Sequence, residues 1–257
     1  MAIDERIEMM KGYDTRTIEN HPSILAFAQG DVNGDGVLDN VYLTGQKPNG
    51  TDSPFTTNIT LIVQDGRTQA FYSVPLESNM GYDPSLFLGD FTGDHVDDIM
   101  ISINSGGSGG YSYYYIYSFF NNRSLEIFNY ETFNDYYLYN VMYQNDYKVE
   151  ITNQTLKISF IIDISNRGED YLSEIYNPDG VLKAPVQGWV SGLNTAYPVD
   201  FNGDGVYELF AFQRIAGRYN ADGLGLVQTP LQWNGKKFVA MNNMQYVAVL
   251  GMGAEGT

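Results

Sequence analysis

The sequence predicts an all-β fold: a small β-propeller of four repeats, each about 55 residues long and folded as a four-stranded sheet. Three observations predict it. A nine-residue acidic motif starts at Asp31, Asp90 and Asp200, 59 and 110 residues apart, and the second gap is twice the period. Turn pairs at Asp65-Gly66, Asn121-Asn122, Asp179-Gly180 and Asn234-Gly235 keep the same spacing. The strand after each motif is apolar at consecutive positions, as in Val41-Tyr-Leu43, Ile99-Met-Ile-Ser-Ile103 and Leu209-Phe-Ala-Phe212. Such a run is covered on both faces, which a sheet with one wet face does not need.

In chain order, residues 1–23 form an N-terminal segment. Ile3, Ile7 and Met10 fall at near-helical spacing there and predict a short helix within 3–20. Residues 24–243 hold the four repeats. In the first, strands are expected at about 24–30, 40–45, 57–64 and 68–75. The third repeat should open near residue 145, but Asn145-Asp146 lacks the oxygen ladder of the other copies. Residues 244–257 supply a closing strand, Met244–Leu250, expected to pair near the N-terminus and close the ring, or a fifth blade built from the two ends.

Composition agrees with sheet and excludes several chemistries. There are 21 Tyr, 14 Phe and 27 Gly, and charged residues reach 18 %. With 14 Lys+Arg against 31 Asp+Glu, the net charge of −17 argues against nucleic-acid binding. The absence of cysteine excludes disulfides, thiol catalysis and Cys-ligated metals. No apolar stretch approaches 18 residues, so no membrane insertion is expected, and no signal peptide is visible at the start.

The three motifs read D-x-[NT]-x-D-[GH]-x-x-[DE]. The expected ligand sets for a hard cation are Asp31, Asn33, Asp35, Val37 and Asp39; Asp90, Thr92, Asp94, Val96 and Asp98; and Asp200, Asn202, Asp204, Val206 and Glu208, each valine through its carbonyl. Up to three Ca²⁺ ions are expected, because Ca²⁺ takes six to eight oxygens at about 2.3–2.6 Å. The ten acidic residues of these loops, Asp97 included, repel one another unless a cation neutralises them. Glycine at position 6 (Gly36, Gly205) permits a turn that a side chain hinders. His95 takes that place in the second loop and Thr92 is a neutral ligand, so that loop is expected to bind most weakly. An EF-hand is excluded: position 12 is Tyr42, Ile101 or Ala211 instead of Glu, and the flanks are strand-like.

These loops with their strand flanks resemble FG-GAP or VCBS repeats, the calcium-binding blades of integrin-type propellers, over roughly residues 24–243. The whole chain more loosely resembles small VCBS-repeat and spore-coat-like proteins of spore-forming Gram-positive bacteria. The resemblance implies Ca²⁺ held between the first two strands of a blade in a structural role. It implies a non-enzymatic surface, coat or adhesion protein, extracellular or on the spore, with a protein or glycan partner there.

Other candidate chemistry is weaker. Ser105–Gly110 is glycine-rich but lacks the Lys of a phosphate loop. Tyr111, Tyr113, Tyr115 and Tyr117 alternate along one strand and either pack between sheets or, if exposed, stack on sugars as a lectin-like module would. Glu77, Glu126, Glu150 and Glu174 are the acids left for a glycosidase, without a recognisable motif. His21 and His95 have no neighbouring acid–nucleophile pair.

Overall fold

The computed structural model describes residues 22–48, 50 and 52–249. The helix expected within 3–20 and the stretch 250–257 lie outside them. The fold is all-β, with sixteen strands and two short helices among the described residues.

Unit I is an antiparallel sheet of β1 (Ser23–Gly30), β2 (Asp39–Gln46), β3 (Phe55–Gln64) and β4 (Phe71–Pro75). These strands fall where alternation and turn residues place them. Unit II repeats the plan with β5 (Gly81–Gly89), β6 (Asp98–Asn104), β7 (Ser112–Ser118) and β8 (Leu125–Asn129). It runs on into α1 (Tyr130–Tyr136), whose N-cap Asn129 accepts from the Glu131 N–H. Unit III has three strands, β9 (Tyr139–Gln144), β10 (Lys148–Asn153) and β11 (Ile158–Asp163), followed by α2 (Glu169–Ile175). Unit IV comprises β12 (Gln187–Val199), β13 (Glu208–Ala216), β14 (Gly223–Trp233), β15 (Phe238–Ala240) and β16 (Tyr246–Val249). Short ladders join β3 to β5 and β9 to β12, giving two eight-stranded sheets.

Three expectations gain detail. Within the expected closing strand, β16 pairs with β14 inside unit IV, Gln228 opposite Tyr246, and the N-terminal partner expected for it lies outside the described residues. The missing third motif is a tight hairpin at Asn145–Tyr147, with Asp146 and Tyr147 both at positive φ. The place expected for a fourth strand in unit III holds α2 and a single bridge, Tyr176 to Leu182.

Burial explains the apolar runs. Ile99, Ile101 and Ile103 of β6 enter a core between units I and II, and Met100 on the opposite face enters a second core between units II and IV. The tyrosine strand divides in the same way. Tyr115 and Tyr117 belong to the first core, while Tyr114 and Ile116 belong to the second. A third core joins unit III to unit IV through Val141, Tyr143, Ile151, Ile215 and Val227.

One joint fixes how the units stack, and it occurs twice. Motif positions are counted from 1 at Asp31, Asp90 and Asp200, so position 0 is the last residue of the preceding strand. The position-8 N–H of Asp97 donates to the position-1 carbonyl of Asp31 at 3.1 Å, and that of Tyr207 donates to the carbonyl of Asp90 at 2.7 Å. Position 0 is glycine on the receiving side: a Cβ on Gly30 would overlap the Asp97 carboxylate, and one on Gly89 would lie 2.8 Å from the Tyr207 ring. The position-7 valines, Val96 and Val206, pack over the position-4 glycines, Gly34 and Gly93. Unit IV therefore sits on unit II as unit II sits on unit I, and unit III does not stand between them at the loops. Gly89→Ala is expected to cost about 1–3 kcal/mol, the usual range for overpacking. A lower urea midpoint at unchanged slope checks this.

Candidate cation loops

The loops join the first and second strands of units I, II and IV. Position 0 pairs with position 9 at the base of each: Gly30 with Asp39, Gly89 with Asp98 and Val199 with Glu208. All three loops share one hydrogen-bond pattern. The position-1 carboxylate gathers backbone N–H groups: Gly34, Asp35 and Gly36 on Asp31; Thr92, Gly93 and His95 on Asp90; Gly203, Asp204 and Gly205 on Asp200. The position-5 carboxylates of Asp35, Asp94 and Asp204 accept from the N–H of Val37, Val96 and Val206 at 2.8–3.0 Å. Positions 4 and 6 lie at positive φ in every copy. His95, at +65°, takes the left-handed conformation that Gly36 and Gly205 adopt freely.

Position 9 accepts backbone N–H groups as well. Asp39 accepts from the N–H of Val32 and of Gly66 and from the Asn33 amide. Asp98 accepts from Phe91 and Thr92, and Glu208 from Phe201. These buried carboxylates close the loop base by satisfying backbone donors that have no strand partner. No group of three or more Asp, Glu or His among the described residues is gathered to hold a metal. Asp98 and Glu208 each receive their backbone N–H groups on one oxygen alone. The oxygens a cation could share are those of positions 1, 3, 5 and 9 and the position-7 carbonyl. They form an all-oxygen set, suited to a hard ion.

Electrostatics differ between copies. Burial raises the pKa of Asp39, and it pushes Asp98 up to about 7. Burial also raises Asp97, helped by the charges of Asp31 and Asp90, because Asp97 lies in the joint between two loops. The backbone N–H of Gly205, with others of its loop, lowers Asp200. In loop one, Arg67 pairs with Asp35 at 2.7 Å and would compete with a cation. In loop two the Thr92 hydroxyl is buried without a partner. It is the one buried side-chain oxygen of the loops left without a partner, and it lies in the copy expected to be weakest.

The other candidate residues have structural neighbours. Tyr114, Tyr115 and Tyr117 are buried in the cores, Tyr113 is half-buried and Tyr111 is 40 % exposed. The glycine-rich loop 105–110 is approached by the chain itself: the Asn194 amide of β12 donates to the carbonyls of Gly109 and Gly110. Glu126 accepts from Tyr117 and Asn129, Glu150 from Gln144 and Thr152, and Glu174 pairs with Arg218. Sequence reasoning missed a pocket of about 220 Å³ between α1 and unit IV, walled by Phe128, Phe133, Tyr137 and Phe238. At its mouth the Lys237 ammonium lies 4.8 Å from the Tyr136 ring centre and covers the ring face a sugar would use. Its walls come from residues 126–137 and 231–238, and no local motif joins them.

The family described as "YybI C-terminal domain" matches residues 137–247, from the end of α1 into β16. Over 249 residues the chain is 48 % identical to a protein of Bacillus subtilis (strain 168) that carries the name "Uncharacterized protein YybI". The match covers 93 % of this chain and 94 % of that relative. No solved structure matches.

Proposed function

The chain belongs to the YybI family, and on that premise we propose that it is a calcium-binding, non-enzymatic protein of a cell or spore surface. One observation carries the reading: three loops, far apart in sequence, share one oxygen-rich geometry, and one of them holds an unpartnered buried hydroxyl at a ligand position, Thr92. Ca²⁺ would be held by Asp31, Asn33, Asp35 and the Val37 carbonyl; by Asp90, Thr92, Asp94 and the Val96 carbonyl; and by Asp200, Asn202, Asp204 and the Val206 carbonyl. Asp39, Asp98 and Glu208 would complete the three sets while also closing the loop bases. The ion would supply positive charge among clustered carboxylates and stiffen each joint from the loop side. Kinship with FG-GAP or VCBS repeats belongs to this reading. So does the radial one, in which units I, II and IV are successive blades of a small propeller. Neutral ligands at position 3 suit millimolar calcium, as found outside cells.

Thermal melting in EDTA and in millimolar Ca²⁺ tests the proposal. Ca²⁺ at a hundred times its Kd adds about 2.7 kcal/mol, which raises Tm by several degrees at ~2–4 °C per kcal/mol. Loop three, which has neither the Arg67 competitor of loop one nor the Thr92 and His95 of loop two, should contribute most, so Asp204→Asn should remove more of the shift than Asp35→Asn or Asp94→Asn. A Tm indifferent to Ca²⁺ and EDTA overturns the reading.

A further inference from the structure

The joint that stacks unit II on unit I and unit IV on unit II has its two unused halves at the ends of the stack. On unit I, position 8 is Leu38, and it is 61 % exposed where Asp97 and Tyr207 are packed in their own joints. On unit IV, a Cβ at Gly203 would meet no atom within 4 Å, where its counterparts Gly34 and Gly93 lie under the next unit's valine. Phe201 and Tyr197 flank that end, 46 % and 54 % exposed. A second copy of the chain could thus add its Leu38 end to the Val199 end, head to tail, by the contacts the molecule already makes twice. Such a contact is heterologous, and it propagates unless something stops it.

One residue breaks the pattern. Position 0 is Gly30 and Gly89 in the two formed joints, and it is Val199 at the free end. Even a single Cβ at Gly30 or Gly89 meets the incoming position-8 side chain. A valine, with two further carbons, fills the space that Leu38 of a second copy would need. We propose that Val199 is an assembly stop: it blocks the glycine slot on unit IV and prevents head-to-tail addition of a second copy through its Leu38 end. The inference uses the packing of the loops and is independent of whether they hold calcium.

Sedimentation velocity of the full chain over a hundredfold concentration range, in physiological salt to screen its net charge, tests this. Wild type should show no concentration dependence arising from this face. Val199→Gly should associate as concentration rises, and Leu38→Asp added to Val199→Gly should return it to the wild-type pattern. Circular dichroism and a melting curve establish that each variant is folded. Should Val199→Gly fail to fold, Val199→Ala, which removes two of the three obstructing carbons and leaves a Cβ to which the flexible Leu38 side chain can adjust, carries the same expectation more weakly. A folded, non-associating Val199→Gly overturns the proposal. So does association that Leu38→Asp leaves intact, and so does a wild-type oligomer that Leu38→Asp alone dissociates.

Discussion

Asp222→Ala should lower the unfolding free energy by about 3–5 kcal/mol, the range for removing one partner of a buried charge pair. The Asp222 side chain is 1 % exposed and lies in the turn between β13 and β14. It pairs with Arg167 at 3.3 Å. It also accepts from the Tyr171 hydroxyl at 2.8 Å, the Tyr143 hydroxyl at 3.3 Å and the Arg218 N–H at 2.9 Å. Arg167 and Arg218 each lie about 5 Å from the Tyr171 ring centre, and Arg218 reaches Glu174 at 2.6 Å. Burial pushes the Tyr143 and Tyr171 hydroxyls up, Tyr171 to about 12, which keeps both as neutral donors. Arg167, Tyr143 and Tyr171 belong to unit III and Asp222 to unit IV, so the carboxylate fastens one to the other. Its loss removes the counter-charge of a largely buried guanidinium, which keeps the Gly223 carbonyl, and the shared acceptor of two phenols, which keep each other. Asp222→Asn keeps an acceptor and should cost less, about 1–3 kcal/mol. Urea denaturation at constant slope reads both. A pair of variants within about 0.5 kcal/mol of wild type would show that unit III is held by its apolar core alone.

This network also marks where the sequence stops being informative. The strands of unit I and the apolar run of β6 in unit II were legible, because each device there is local: β-rich runs, and Asp and Gly at the loop turns. The motif at Asp200 was equally legible as a loop. Its position was not, because the contact between Tyr207 and Asp90 joins residues more than a hundred apart, and an even repeat period suggested that another unit lay between. The signal that could have found it is the position-0 residue: Gly30 and Gly89 announce a packed neighbour, and Val199 announces none. The engagement of Asp39, Asp98 and Glu208 with backbone N–H groups could not be separated from metal ligation by spacing, since a carboxylate at position 9 serves either. Helix α1 was hidden by its aromatic residues, which favour strand; Asn129 as N-cap with Glu131 in the first turn was the available cue.

Tyr115→Ala should cost about 3–5 kcal/mol, as for other buried aromatic truncations, and its size decides what the tyrosine strand is for. A ligand platform tolerates removal of a ring with little loss of stability, whereas a core ring does not. Tyr115 is fully buried between units I and II. Its ring stacks on Tyr117 at 6.2 Å and meets Tyr130 edge-on at 5.9 Å. Its hydroxyl oxygen accepts from the Ser78 N–H at 2.8 Å, which ties the loop before β5 to the sheet. Truncation therefore opens a cavity and strips that N–H of its acceptor. Tyr115→Phe keeps the ring and removes the oxygen, so it should cost about 1–2 kcal/mol. Tyr111→Ala, at an exposed ring just before the same strand, should stay within about 0.5 kcal/mol. Chemical denaturation should rank the three variants with Tyr115→Ala least stable, Tyr115→Phe next and Tyr111→Ala closest to wild type. A Tyr115→Ala protein as stable as wild type would return the strand to the surface and reopen its use as a sugar-stacking face.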